Sequence, residues 1–169
     1  MNALSEDDGW SIRADAALRF ETPELTRLCD VWFEKAAGGL PSRADFDPPA
    51  LKPFLRHISI VERETGPSGR PSYIFRFYGS ALTQRFGEQT GQFLEMSIPP
   101  DRLRRWIAAY DAVLDAGRPL RLLSNLGIPR VSQLYGESFS APLASGGGKP
   151  NMILACTYFT PKAELAESA

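Results

Sequence analysis

Hydrophobic positions along this chain change period several times, and each change predicts an element. Leu25, Leu28, Cys29, Trp32 and Ala36 recur at helical spacing and draw one apolar stripe, which Phe33 widens. Thr22-Pro23-Glu24 supplies an N-cap, a proline suited to the first helical position and an acid near the positive helix end. Gly38-Gly39 stops the pattern, so the spacing predicts a helix over 22–37. A shorter helical segment is expected after Asp47-Pro48-Pro49, carrying Leu51, Phe54 and Leu55.

From His57 the period becomes two, with Ile58 and Ile60 alternating against Ser59 and Val61 until Gly66-Pro67-Ser68-Gly69 turns the chain. Tyr73, Phe75 and Phe77 then alternate with Ile74, Arg76 and Tyr78; Arg76 marks the solvated face and the odd-numbered aromatics the buried one. Two glycine breaks bound a short helix-prone stretch over 79–91. Pro99-Pro100-Asp101 opens the longest helical pattern, with Leu103, Trp106, Ile107, Tyr110, Val113 and Leu114 on one face and Gly117 as its end. Three extended runs follow, at 119–126, 131–143 and 152–159, and the last is apolar on both faces, as a covered central strand is. Helix, two strands, short helices, a long helix and three strands joined by tight turns make an α+β fold on an antiparallel sheet.

Composition narrows the classes. The chain has 169 residues, 43% of them hydrophobic, which suits one folded domain. With 19 Lys and Arg against 20 Asp and Glu, it lacks the positive excess that nucleic-acid binding demands. No apolar run approaches the roughly 20 residues of a membrane span. Glu6, Asp7 and Asp8 stand where a secretory signal carries positive charge, so a cytoplasmic protein is expected. Cys29 and Cys156 lie in apolar patterns far apart and read as reduced core residues.

The order of elements resembles the PAS domain. The run Tyr73-Ile-Phe-Arg-Phe-Tyr-Gly-Ser-Ala-Leu82 is similar to the second PAS strand entering its first short helix, and Gly91-Gln-Phe-Leu-Glu-Met-Ser-Ile-Pro-Pro-Asp-Arg102 to the stretch leading into the long PAS helix. A narrower resemblance, to the stand-alone PAS-like family common in alphaproteobacteria, rests on Trp32, Gly39-Leu-Pro-Ser-Arg43, Asp45-Phe-Asp-Pro48, Phe86-Gly87, Thr90-Gly91 and Met152-Ile-Leu154 with Tyr158. It implies a five-stranded antiparallel sheet with helices on one face and an additional N-terminal helix. The domain would span 22–160, between an extension at 1–21 and a short tail at 161–169. It implies a sensory or regulatory module without a reaction of its own. With only a short tail after the last strand, output is expected in trans, through a signalling partner.

Catalytic and cofactor signatures are sparse. Ser145-Gly-Gly-Gly148-Lys149-Pro150 lacks the first glycine and the Ser or Thr of a phosphate loop and reads as a hairpin turn. His57 has no metal-ligand partner at suitable spacing, and haem-binding PAS domains tend to carry their His on the long helix, which has none; haem is not expected. Covalent flavin chemistry is not expected either, because residues 87–93 lack the reactive Cys of light-sensing relatives. Asp45 and Asp47 read as turn caps and Arg102, Arg104 and Arg105 as a solvated helix face. No catalytic residue is assigned. The candidate pocket is aromatic: Phe75, Phe77, Trp106, Tyr110, Phe139 and Tyr158 either line a cavity for a small apolar or aromatic ligand or fill the core. The wide stripe of Leu25, Leu28, Trp32 and Phe33 exceeds what one sheet covers and is the candidate interface of a homodimer.

Overall fold

Strand pairing organises the molecule around one twisted sheet. The computed structural model describes residues 3–5, 10–126, 134–146 and 148–161. Its strands are β1 (Ala3–Ser5), β2 (Trp10–Asp15), β3 (Ile58–Thr65), β4 (Pro71–Tyr78), β5 (Leu120–Leu126), β6 (Leu134–Ala144) and β7 (Pro150–Pro161). They form an antiparallel sheet in the order β1-β2-β5-β6-β7-β3-β4. The helices are α1 (Pro23–Lys35), α2 (Pro48–Leu51), α3 (Ser80–Phe86) and α4 (Pro100–Ala116), with a 3-10 turn at Leu94–Met96.

Strands β3 to β7 are the five expected, and the N-terminal segment adds two more. Trp10–Asp15 pairs along β5, from Trp10 opposite Leu126 to Asp15 opposite Arg121. Ile12 is buried in the core, so the segment read as an extension belongs to the sheet. Its alternation of Trp10, Ile12 and Ala14 with Ser11, Arg13 and Asp15 is a strand signal too short to stand out by itself. Positions 131–133, expected as the start of a strand, lie outside the described residues.

Side chains of the central strand β7 divide the core into two layers. Ile153 and Ala155 point toward α4, with Val61, Tyr73, Phe75, Val113, Leu120 and Leu122. Leu154 and Cys156 point the other way, toward α1 and α2, with Leu25, Leu28, Trp32, Phe54, Phe139 and Leu143. Helices α3 and α4 therefore lie on one face, and the N-terminal helix, with the short α2, lies on the other.

One bulge decides the outcome for β4. Ile60 pairs with Phe77 and Val61 with Phe75, so Arg76 is the additional residue. Its guanidinium reaches Glu62 at 2.6 Å and also pairs with Glu64. Tyr73 and Phe75 face the α4 layer as expected, but past the bulge Phe77 packs against the α1 layer. The expected single aromatic face is thus split by one inserted backbone residue.

Helix α1 is fixed at both ends of its contact with the sheet. Leu25 and Leu28 are fully buried against it, and the Trp32 indole N–H donates to the Pro142 carbonyl at 3.2 Å. The stripe expected at a dimer interface is covered by the chain's own sheet, leaving Phe33 exposed at 47%. At the N-terminus of α1, the Glu137 carboxylate accepts the backbone N–H of Glu21 at 2.8 Å, that of Thr22 at 2.9 Å and the Thr22 hydroxyl at 2.6 Å. The first-turn donors that a helix leaves unpaired are approached here from a neighbouring strand. Arg121 holds the same carboxylate at 2.7 Å and also approaches Asp15 and Glu21.

Burial alone would raise the Glu137 pKa, but these donors outweigh it and hold the carboxyl below its usual range. The folded state therefore favours the ionised carboxylate over its protonated form more than the unfolded chain does. Its stabilisation is complete above the ordinary carboxyl range and is lost as pH falls through the lowered folded value. Glu137→Gln is expected to cost about 2 kcal/mol at neutral pH. In urea unfolding at a series of pH values, the gap between the two proteins should narrow steadily from pH 6 toward pH 3.

Candidate functional site

The α4 side of the sheet is hollow. Its cavity, of about 340 Å³, is bounded by α4, α3, the segment around Leu94–Pro99 and the ends of β3, β4, β5 and β7. Helix α4 brings Arg102, Trp106 and Tyr110 to it, at four-residue intervals on one face. Strands supply Ser59, Phe75, Tyr78, Leu126, Thr157 and Phe159, and α3 supplies Leu82 and Phe86. Phe75, Leu82, Leu94 and Tyr110 are buried at the inner end, whereas Phe86, Ser97 and Pro99 mark an exposed rim.

Aromatic contacts set the walls. Phe75 meets Tyr78 edge-on at 4.9 Å between ring centres, and Trp106 meets Tyr110 at 5.7 Å. At the rim Phe86 lies edge-on to Phe159 at 5.1 Å, and the Arg85 guanidinium sits 5.8 Å from the Phe159 ring centre. The Gln89 amide nitrogen donates to the Phe86 carbonyl at 3.1 Å, and its oxygen accepts from Ser97, closing the loop against the end of α3.

The polar groups are few and mostly neutral. On the floor, Thr157 donates to Ser138 at 3.0 Å, and Ser138 lies 3.1 Å from the Ser140 hydroxyl. Burial, and then nearby Glu88, push the Tyr78 phenol up to about 12. Burial, and then Tyr78, also push the Tyr110 phenol upward. Both remain protonated and able to donate throughout the physiological range. Arg102 is the one charged side chain on the lining among the described residues.

Three of the six candidate pocket residues meet here: Phe75, Trp106 and Tyr110. The other three lie in the layer on the opposite face, namely Phe77, Phe139 and Tyr158. Parity explains each. Odd positions of β6 and even positions of β7 face α1, and the bulge carries Phe77 to that side. The reading of the arginines changes too, since Arg105 is buried and Arg102 lines the cavity, leaving Arg104 exposed. Arg102 was legible in principle, because it precedes Trp106 by four residues on one helix face. Tyr78 and Phe86 carried no comparable signal.

Other residues singled out by the sequence have structural partners. The His57 ring stacks on Tyr158 at 4.0 Å and its Nδ1 lies 3.2 Å from the Thr157 carbonyl; burial lowers its pKa against the pull of that carbonyl. Asp47 accepts from the Ala50 N–H at 3.1 Å, capping α2, and Asp45 accepts from the Ser42 N–H at 2.7 Å and hydroxyl at 2.9 Å. Cys29 and Cys156 are free and buried, and burial raises both thiols. Among the described residues no cluster of three His, Cys, Asp or Glu is placed to hold a metal, and no helix is long and apolar enough to cross a membrane.

An antiparallel sheet hollowed beneath one long helix defines a sensor-type α+β domain. The chain belongs to the PAS domain family, whose model matches residues 20–157. Among solved structures it is similar to a sensory box histidine kinase/response regulator from Burkholderia thailandensis E264, at 14% identity and TM-score 0.42, covering 71% of this chain and 88% of that one. It is also similar to an RNA-binding light-oxygen-voltage receptor, at 17% identity and TM-score 0.41, covering 71% and 36%. No curated protein matches the chain. The family places this fold among sensory and regulatory domains.

Gly79 fixes where α3 begins, and so where one wall of the cavity stands. Its N–H donates to the Ile58 carbonyl at 2.8 Å. A Cβ there would collide with the carbonyl oxygens of Leu55 and Arg56, which are backbone and have little room to yield. Gly79→Ala is expected to lower stability by about 2 kcal/mol through this overpacking, read by chemical denaturation.

Proposed function

We propose that this PAS domain is a sensor that takes a small apolar or aromatic ligand beneath α4 and passes the change on by contact with a second chain. That chain is another copy of the protein or a separate signalling partner. The observation that carries the reading is the hollow of about 340 Å³ beneath α4, whose lining is mainly aromatic and aliphatic. Ligand sites are built this way, from mainly apolar walls with a few converging polar groups. Helix α1 supports the output half, because it rests on the same sheet and keeps Phe33 on its outer side.

Native mass spectrometry of protein purified from its own cells, compared with the denatured spectrum, reads retained ligand and subunit number together. The expected result is an assembly of more than one chain carrying a small-molecule mass that disappears on denaturation. Trp106→Ala, which removes the ring at the middle of the α4 wall, should lose that mass while keeping a folded far-UV spectrum. Retention of the ligand by folded Trp106→Ala protein would place the ligand elsewhere. Bare monomer from the unaltered chain, with no retained mass, would overturn the reading.

A further inference from the structure

A second cleft, of about 570 Å³, lies where the β3–β4 turn and the start of β4 meet α4 and the Leu94–Met96 turn. Two polar atoms of its lining residues are buried without a hydrogen-bond partner, the Ser72 hydroxyl and Glu95 Oε1. They stand side by side: a Cβ on Gly66 would collide with Glu95 Oε1 and lie 2.9 Å from the Ser72 Cβ. Ser72 is 2% exposed. A carboxylate oxygen withdrawn from water without a donor is costly, and the unbonded hydroxyl beside it adds to that cost. The other acid on the cleft is engaged already, since Asp111 accepts from the Tyr73 hydroxyl at 2.8 Å and lies 3.7 Å from the Arg63 guanidinium. Arg70 and Arg104 line the same cleft and are exposed, and among the described residues no carboxylate pairs with either.

We propose that this cleft binds a small aliphatic amino acid, at a site separate from the hollow beneath α4. The ammonium group sits between Glu95 and Ser72, the carboxylate meets Arg70 and Arg104, and the side chain lies on Leu103 and Ile107. An ammonium carries three donors and no acceptor, so one group answers both the carboxylate oxygen and the hydroxyl. A simple cation would face the two guanidiniums and a simple anion would face Glu95, whereas a zwitterion matches both signs. Arginine suits the other end because its planar fork holds a carboxylate through two parallel N–H bonds. Leu103 and Ile107 both line the cleft and are four residues apart on α4, which gives the side chain one continuous apolar strip.

The test titrates the whole chain calorimetrically with three probes of one carbon skeleton: L-leucine, 4-methylpentanoate, which lacks the ammonium, and 3-methylbutan-1-amine, which lacks the carboxylate. Leucine is expected to bind about tenfold more tightly than either fragment. Glu95→Gln should weaken leucine and the amine by about tenfold and leave 4-methylpentanoate within about twofold. Arg104→Gln should weaken leucine and 4-methylpentanoate and spare the amine. A melting curve checks that each variant is folded, and the exposed Arg104 position guards against loss of the other variant. Trp106→Ala should leave leucine binding unchanged. No binding of leucine to the unaltered chain, leucine no tighter than its fragments, or indifference to both substitutions would overturn the proposal. Loss of leucine binding in folded Trp106→Ala protein would overturn it too, by placing leucine beneath α4. Failure of leucine to bind leaves the reading of the hollow standing, because that reading is tested by the mass the protein retains.

Discussion

Everything in this fold hangs on the burial of β7 from both sides. A central strand must satisfy its backbone through both neighbours, and β7 does so with β6 along most of its length and with β3 from Met152 to Cys156. Successive side chains then have no choice but to enter opposite layers. Leu154 and Cys156 go to the α1 side, Ile153, Ala155 and Thr157 to the α4 side. The two layers differ in what they receive. Toward α1 the sheet presents Phe139, Leu143, Leu154 and Ile58, which fill the space beneath Leu25, Leu28 and Trp32. Toward α4, near the cavity, it presents Ser59, Ser138, Ser140, Ala155 and Gly136, which are too small to reach the helix. The hollow is thus a consequence of side-chain volume on one face of the sheet, spanned by a helix long enough to bridge it.

Gly136 shows how local this requirement is. A Cβ there would meet the Ser124 hydroxyl and come within 2.9 Å of the Phe159 ring. Without a side chain, the β6 backbone lets that ring lie over the sheet and take Phe86 and Arg85 against it. The same short stretch of β6 works on both faces. Gly136 and Ser138 make room under α4, while Glu137 between them points to the other side and holds the first turn of α1. The hollow and the start of α1 are therefore tied to one short stretch of backbone.

The sequence made the fold readable because its elements are long and strongly periodic. The 22–37 stripe, the Pro100–Ala116 helix and the two-sided apolar run of β7 all have the lengths and periods that secondary structure imposes. The resemblance to PAS domains rested on the same spans and agrees with the family match over 20–157. The site was legible only in part. Phe75, Trp106 and Tyr110 were recoverable because each lies on a regular element with intact register. Phe77 was not, because a single bulged residue, Arg76, reverses its face, and the Glu62 and Glu64 partners that hold it there are known only after β3 and β4 are paired. Phe139 and Tyr158 needed the parity of strands whose sides are assigned by neighbours distant in the chain. The β2 strand was missed for a related reason: six residues gain their meaning from pairing with β5 more than a hundred positions later.

Polar groups line the hollow beside its aromatic rings. A void left by imperfect packing is lined by whatever surrounds it, and its cheapest lining is hydrocarbon. Here Tyr78 and Tyr110 carry hydroxyls that phenylalanine would omit at no loss of ring packing, and Ser59 stands where alanine would fit. Each buried hydroxyl without a partner is destabilising by about 1–3 kcal/mol relative to a paired one. Some buried hydroxyls elsewhere are joined into pairs or to carboxylates, whereas those of Ser72 and Thr83, away from the hollow, have no partner. At the rim, the exposed Phe86 ring and the Gln89–Ser97 bond stand with Arg102, in the first turn of α4, on the lining of the hollow.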